Sequence, residues 1–295
     1  MPPHARSLPL RDQPPPPATP DEAAVAKERA LVAWLRAKGR VAIGFSGGVD
    51  SAYLACVAVD VLGAGGTLAI IGRSASYPDA QWAAARGVAE RFGIPVLEIE
   101  TREMEDPRYA ANPSNRCYFC KTELWSLLVP AAAARGITTV VDGTNADDLH
   151  GHRPGAAAAR EHGVESPLAT LGFTKHEIRA LSRARELPTW SQPSSPCLSS
   201  RIPYGTPVTA ARLAQVDRAE RALRALGVEG DLRVRHHGDL ARVELAYDTI
   251  AGWLRAPARR ELADAVRGAG FARVALDLRG FRSGSLNVLA GVTTP

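Results

Sequence analysis

Apolar residues along the chain follow two rhythms. Val25, Leu31, Val32 and Leu35 fall on one helical face, and Gly39 is placed to end that helix. Thr19, Pro20 and Glu22 predict its start, with a capping hydroxyl, a proline at the first position and a capping-box carboxylate. Short, unbroken apolar runs then alternate with longer amphipathic stretches. VAIGF (41–45) reads as a buried strand, 50–62 as a helix closed by Gly63, and TLAII (67–71) as a second strand. Residues 79–92 form a helix ending at Gly93, and Pro95–Glu100 form a strand. Residues 121–135 form a helix ending at Gly136, and ITTVVDG (137–143) is the fourth strand. This alternation predicts an α/β fold with a doubly wound parallel sheet covered by helices.

The rhythm breaks over 143–206, where loops surround short helices at about 155–161 and 175–186. From Thr209 a helix to Leu226, strands at 231–236 and 241–246, helices across 248–269 and a strand at 271–277 predict a smaller C-terminal α+β domain. The expected division is a proline-rich disordered tail over 1–18, a nucleotide-binding domain over 19–205 and the small domain over 206–295. No repeat of 20–50 residues is present.

The 295 residues carry a net charge of +5, with acidic and basic residues interspersed. Basic blocks of the kind that bind nucleic acid are missing, and so is a run of about 20 apolar residues that could cross a membrane. The N-terminal MPPHARSLPLRDQPPPP has no apolar core of a secretory signal. A cytoplasmic, reducing location is therefore expected, where a CxxC pair points to metal or redox chemistry more than to a disulfide.

SGGVDS (46–51) follows the first strand and opens a helix, the right place for an anion. It lacks the lysine of a P-loop. Gly47 and Gly48 allow backbone N–H groups to approach closely, Ser46 and Ser51 offer hydroxyls, and Asp50 beside phosphates fits a role in holding Mg²⁺. The loop resembles the PP-loop of ATP pyrophosphatases. That resemblance implies cleavage of ATP between the α- and β-phosphates, with the loop holding the departing pyrophosphate. DGTNADD (142–148) ends the fourth strand, where Asp147 or Asp148 could bind metal and Thr144 and Asn145 could bind the nucleotide.

The cysteines are Cys56, Cys117, Cys120 and Cys197. Cys56 lies in the apolar run LACVAV and reads as core. For the other three, unrelated thiols, a zinc site with a fourth ligand, and a three-cysteine [4Fe–4S] cluster with one open iron all stay in play.

Taken together, SGGVDS, NRCYFCK (115–121), DGTNADD, HRPG (152–155), SPL (166–168), PCLSSRIPYG (196–205), LRVRHHGDLARVEL (232–245) and RSGSLN (282–287) resemble the LarE family. These are PP-loop sulfur transferases that make the nickel-pincer nucleotide cofactor of lactate racemase. The resemblance spans about residues 20–290. It implies that MgATP adenylates a carboxylate of pyridinium-3,5-biscarboxylate mononucleotide and that sulfur then displaces AMP. Some members surrender the sulfur of the third cysteine; others use a cluster. All three cysteines are present here, so the resemblance favours a cluster on Cys117, Cys120 and Cys197, with Cys197 catalytic in either case. Arg233 and Arg235 match positions that bind the nucleotide phosphate. Arg201, Arg116, Lys121 and Arg153 are further cations for an anionic substrate, and Glu220 is a further candidate near the site. The resemblance also implies a homo-hexamer, a sulfide donor and other proteins of nickel-pincer synthesis as partners. A tRNA thiolase, an ammonia-using ligase and a nucleotide-binding regulatory module are the competing readings. The ligase leaves Cys197 and the CxxC pair without a purpose.

Overall fold

The computed structural model describes residues 19–149, 154–193 and 197–282. The tail over 1–18, the HRPG motif up to Arg153, Pro196 and most of RSGSLN lie outside these residues.

Helix α1 (Glu22–Lys38) opens the fold, capped by Asp21, whose carboxylate accepts from the Ala24 amide at 2.7 Å. The expected Thr19 box is therefore corrected: the cap lies two residues later, because Asp21 has the extended backbone that aims its side chain at the free N–H groups. β1 (Val41–Gly44) leads into α2 (Val49–Gly66), which is apolar on all sides and largely buried, as a core helix must be. Gly63 does interrupt α2, at φ +67°, but one further turn follows it. β2 (Thr67–Arg73), α3 (Asp79–Arg91) and β3 (Val96–Glu100) come next, then a short helix α4 (Pro107–Ala110).

Helix α5 (Arg116–Ala133) begins five residues earlier than expected. Cys117 and Cys120 thus lie in its first turns instead of in a preceding loop. β4 is only Val140–Val141, shorter than the expected 137–143. α6 (Pro154–Glu161), α7 (Pro167–Thr170) and α8 (Lys175–Ala184) cover the break in rhythm.

The four strands are parallel in the order β3-β2-β1-β4. The winding reverses between β1 and β4, so the crevice beyond their carboxyl ends is the place where such sheets take ligands. Trp125 of α5 lies over Gly44, and a Cβ there would come within 2.5 Å of the indole. Gly143, just after β4, is backed against the first turn of α2: a Cβ would meet the Ser51 amide at 2.8 Å.

The remaining chain forms α9 (Ala210–Ala225), β5 (Leu232–His237), β6 (Leu240–Leu245), α10 (Ile250–Trp253), α11 (Ala258–Gly268) and β7 (Arg273–Leu276). β5 and β6 are antiparallel, turning through Gly238 at φ +68°, and β7 joins β6 in parallel. Leu213, Val216, Val234, Val243, Leu262 and Phe271 build this second core. Tyr109, Leu198 and Ile202 also belong to it, so segments from before residue 205 reach into the C-terminal core.

Candidate active site

The PP-loop is self-braced. The Ser46 and Ser51 hydroxyls share a hydrogen bond at 3.2 Å, and Ser51 also donates to the Gly48 carbonyl at 3.2 Å. Gly47 takes φ +69°, where a side chain would also strike Ala85 at 2.5 Å. The Ser46 carbonyl accepts from both Tyr77 Oη and Gln81 Nε2, each at 2.9 Å. Gly48 caps α2 without a side-chain bond, so the first amides of that helix keep their capacity for an anion.

A lysine is present after all. Lys175 Nζ, at the first residue of α8, pairs with the Asp50 carboxylate. The Lys175 amide donates to Asp147 Oδ2 at 2.7 Å, and Asn145 Nδ2 donates to Asp50 Oδ1 at 3.4 Å. Asp50, Asn145, Asp147 and Lys175 are thereby drawn to one spot. Asn145 Oδ1 accepts from the Asp147 and Asp148 amides at 3.0 and 3.2 Å, fixing the loop after β4. The Thr144 hydroxyl donates to Asp142 at 2.8 Å, as does that of Ser166. Helix α8 is held in turn by a full capping box of Thr174 and Glu177, and Lys27 of α1 grips Glu177 at 2.7 Å.

Cys197 opens a tight turn that is fastened at successive residues. The Leu198 amide donates to the Ser76 carbonyl at 2.8 Å. The Ser199 hydroxyl bonds Tyr109 Oη at 2.6 Å, and Arg201 Nη1 donates to the Cys197 carbonyl at 3.1 Å. Cys120 is half-buried and packs on the same core as Leu198 of this turn. Burial pushes its thiol well up, and the neighbouring Glu103, Cys197 and Cys117 push it further. Tyr109 is raised likewise by burial and then by Cys197 and Cys120, and Tyr204 by burial and by Cys117 and Cys197 against Arg116. Cys120 thus feels the charge of both Cys197 and Cys117. Among the described residues, however, no three His, Cys, Asp or Glu side chains stand at metal-bonding spacing. The donor set suits a soft iron–sulfur site; the thiols as placed are neighbours and not a closed cage.

Three arginines gather on the other flank. Arg201 makes a two-pronged pair with Glu220 at 2.9 and 2.8 Å. Arg235 pairs with Glu244 at 2.7 Å and donates to the Ser200 carbonyl at 2.9 Å. Arg233 is buried over the Phe281 ring at 4.8 Å. Burial, then the proximity of Arg201, lowers its pKa to about 10, an environment that favours an incoming anion. Glu220 Oε1 also accepts from the Val234 amide at 2.9 Å, tying α9 to β5.

The comparisons with known proteins agree with this geometry. Residues 27–112, which hold the PP-loop, match the NAD synthase family. An uncharacterised protein of Synechocystis sp. is 46% identical over 84% of this chain and 92% of its own length. An uncharacterised protein of Methanocaldococcus jannaschii is 27% identical over 83% of this chain and 91% of its own. The pyridinium-3,5-bisthiocarboxylic acid mononucleotide synthase of Lactiplantibacillus plantarum is 37% identical over 88% of this chain and 94% of its own length. The chain belongs to the LarE family. It is an ATP-dependent sulfurtransferase of the PP-loop type.

Within this LarE-family fold, Ser46 bonds Ser51 across Gly47 and Gly48, and Asp50 bonds Asn145 and Lys175, whose amide bonds Asp147. Cys197 and Arg201 share a turn, which Arg235 also touches through Ser200. Cys117 is exposed and Cys120 half-buried, one helical turn apart on α5. Sequence reasoning missed Lys175. Its only local signal is Thr-Lys-x-Glu, a capping box with a lysine at the first helical position. Asn112 was also missed. At φ +57° its Nδ2 donates to the carbonyls of Pro203 and Thr206 at 2.8 and 2.9 Å, stitching the start of α5 to the loop after Cys197. Glu103 is a third: buried, it accepts from Ser74, Ser76 and Thr101 hydroxyls at 2.5, 2.8 and 2.8 Å.

Proposed function

We propose that the protein adenylates a carboxylate of pyridinium-3,5-biscarboxylate mononucleotide with MgATP and replaces the AMP with sulfur held at Cys197. One observation supports this above the rest. Ser76 accepts from the amide after Cys197, and its neighbour Tyr77 donates to the Ser46 carbonyl of the PP-loop. Two adjacent residues thus join the sulfur turn to the phosphate loop.

A carboxylate oxygen attacks the α-phosphorus of ATP, the bond to the bridging oxygen breaks, and pyrophosphate departs. The PP-loop amides and the Ser46 and Ser51 hydroxyls receive that leaving group, and Lys175 turns from Asp50 towards it. Asp50 and Asp147, both in contact with Lys175, offer the hard oxygen pair that Mg²⁺ takes. Thr144 and Asn145 flank the nucleotide. Arg233 receives the substrate phosphate, and Arg201 and Arg235 support it while holding the Cys197 turn. The acyl adenylate has AMP as a good leaving group. Attack by a sulfide displaces AMP and gives the thiocarboxylate directly. Attack by Cys197 Sγ instead gives a thioester, and loss of the Cys197 Cα proton with cleavage of its Cβ–S bond then releases the thiocarboxylate and leaves dehydroalanine.

Cys117, Cys120 and Cys197 would hold a [4Fe–4S] cluster, which supplies an iron able to carry an extra sulfide. Sacrifice of the Cys197 sulfur is the second route. In either case residues 206–295 form the phosphate-binding and oligomerising unit, a homo-hexamer serves cytoplasmic nickel-pincer synthesis, and a sulfide donor is the partner of the cluster route.

The test is pyrophosphate release, under strict anaerobiosis, from protein given ATP, magnesium and the dicarboxylated mononucleotide. Release that depends on that substrate supports the reading. Release without it, or none with it, overturns the reading.

A further inference from the structure

The three anionic groups of the proposed substrate are a phosphate, the carboxylate under attack and a second carboxylate. The phosphate has Arg233, and the attacked group faces the PP-loop and Cys197. The second carboxylate has no partner in that assignment.

Arg116 is a buried cation that this assignment leaves unused. It is the first residue of α5, only 5% exposed, and lies directly beside Cys117. Its Nη1 donates to Asn112 Oδ1 at 2.6 Å, and its guanidinium sits 4.9 Å from the Tyr204 ring centre. Its Nε is buried without a hydrogen-bond partner among the described residues. Arg201 and Arg235 each meet a carboxylate, whereas Arg116 meets none among the described residues. A buried guanidinium ordinarily has its charge answered.

We propose that the Arg116 guanidinium binds the substrate carboxylate that is not undergoing reaction. The assignment rests on the substrate class proposed above. The reacting carboxyl loses its charge on adenylation, so a fixed buried cation suits it only before the reaction. The spectator group is an anion at every step: a carboxylate in the first conversion and a thiocarboxylate in a second. A permanently charged guanidinium suits that group. Asn112 and Tyr204 hold the guanidinium in place, and Asn112 ties it to the loop that follows Cys197.

The test compares the dicarboxylated mononucleotide with the same pyridinium mononucleotide bearing a single carboxylate. Binding and pyrophosphate release are measured on wild type, Arg116→Gln and Arg116→Lys. Wild type should prefer the dicarboxylate by about tenfold to a hundredfold. Arg116→Gln should bring that ratio to near one, and Arg116→Lys should keep part of it. A ratio taken on one preparation is independent of how much protein is folded, so lower stability of a variant does not obscure the result. Arg116→Gln with the wild-type ratio overturns the assignment, while wild type still turning over the dicarboxylate leaves the proposed function standing. Wild type that neither binds nor processes either compound overturns both.

Discussion

Lys175 meets Asp50 across 125 positions of sequence, and in doing so it completes a phosphate loop that contains no lysine of its own. The pair is only partly shielded, with 36% and 18% of the two side chains exposed. Its contribution to folding is therefore small. Its weight should fall on catalysis, because the ammonium lies against the PP-loop aspartate, beside the proposed path of the departing pyrophosphate.

Lys175→Ala should lower the rate of pyrophosphate release by about a hundredfold or more, the scale of losing one pre-placed charge-stabilising donor. The melting temperature should hardly change. A normal pyrophosphate rate in steady-state assays would remove Lys175 from the chemistry.

Cys197→Ser should separate the two half-reactions. Pyrophosphate release should persist because the PP-loop and Lys175 are untouched, while thiocarboxylate formation should stop. Mass spectrometry of the product together with a pyrophosphate assay reads both. Loss of ATP binding would contradict the division of labour.

Iron and acid-labile sulfide decide between the sulfur routes. Anaerobically reconstituted protein should carry about four irons per chain on the cluster route. Cys120→Ser should abolish that content. Protein without iron that becomes lighter by the mass of H₂S after one turnover points to sacrifice of Cys197.

Glu244 is 1% exposed and accepts from both Arg235 and Arg242. Glu244→Gln leaves two guanidinium groups with weaker partners in the second core. Denaturant unfolding should show a loss of about 3–5 kcal/mol. A loss below about 1 kcal/mol would mean that the site relaxes around the change.

His236 and His237 have pKa values lowered by burial, aided at His236 by Arg212 and at His237 by Arg242 and Arg235; Glu244 opposes the shift at His237. Both groups favour the neutral ring in the fold. The unfolded chain then takes up protons first as pH falls. Stability from these residues is full above the ordinary histidine value of about 6.5 and is lost on acidification below it. His236→Asn should flatten that part of a stability–pH curve measured by urea denaturation.

Much of this molecule is written locally. VAIGF and TLAII are strands because unbroken apolar runs suit a sheet buried on both faces, and SGGVDS stands at the turn between β1 and α2 as its glycines require. The misplacements have local causes too. Thr19 was the expected cap, but Asp21, two residues on, has the extended backbone that brings its carboxylate to the Ala24 amide. The first turns of α5 hold Arg, Cys and Tyr and no capping side chain, so nothing in the string marks Arg116 as its start. Lys175 and Asn112 were hidden for another reason. Each acts on a segment far along the chain, and no periodicity encodes which distant loops will touch. Glu103 gave no signal, because its three hydroxyl partners come from two separate strand ends.

The indole of Trp125 resting on Gly44 makes α5 a rigid strut between two chemistries. One end of the strut bears the thiol pair, and its middle leans on the residue that leads into the phosphate loop. In the proposed reaction, the gap that sulfur crosses to reach an activated carbonyl is thus set by packing deep in the sheet. A methyl group added at Gly44 would lift the strut and detune the hand-over of sulfur, even though no reacting group had been altered.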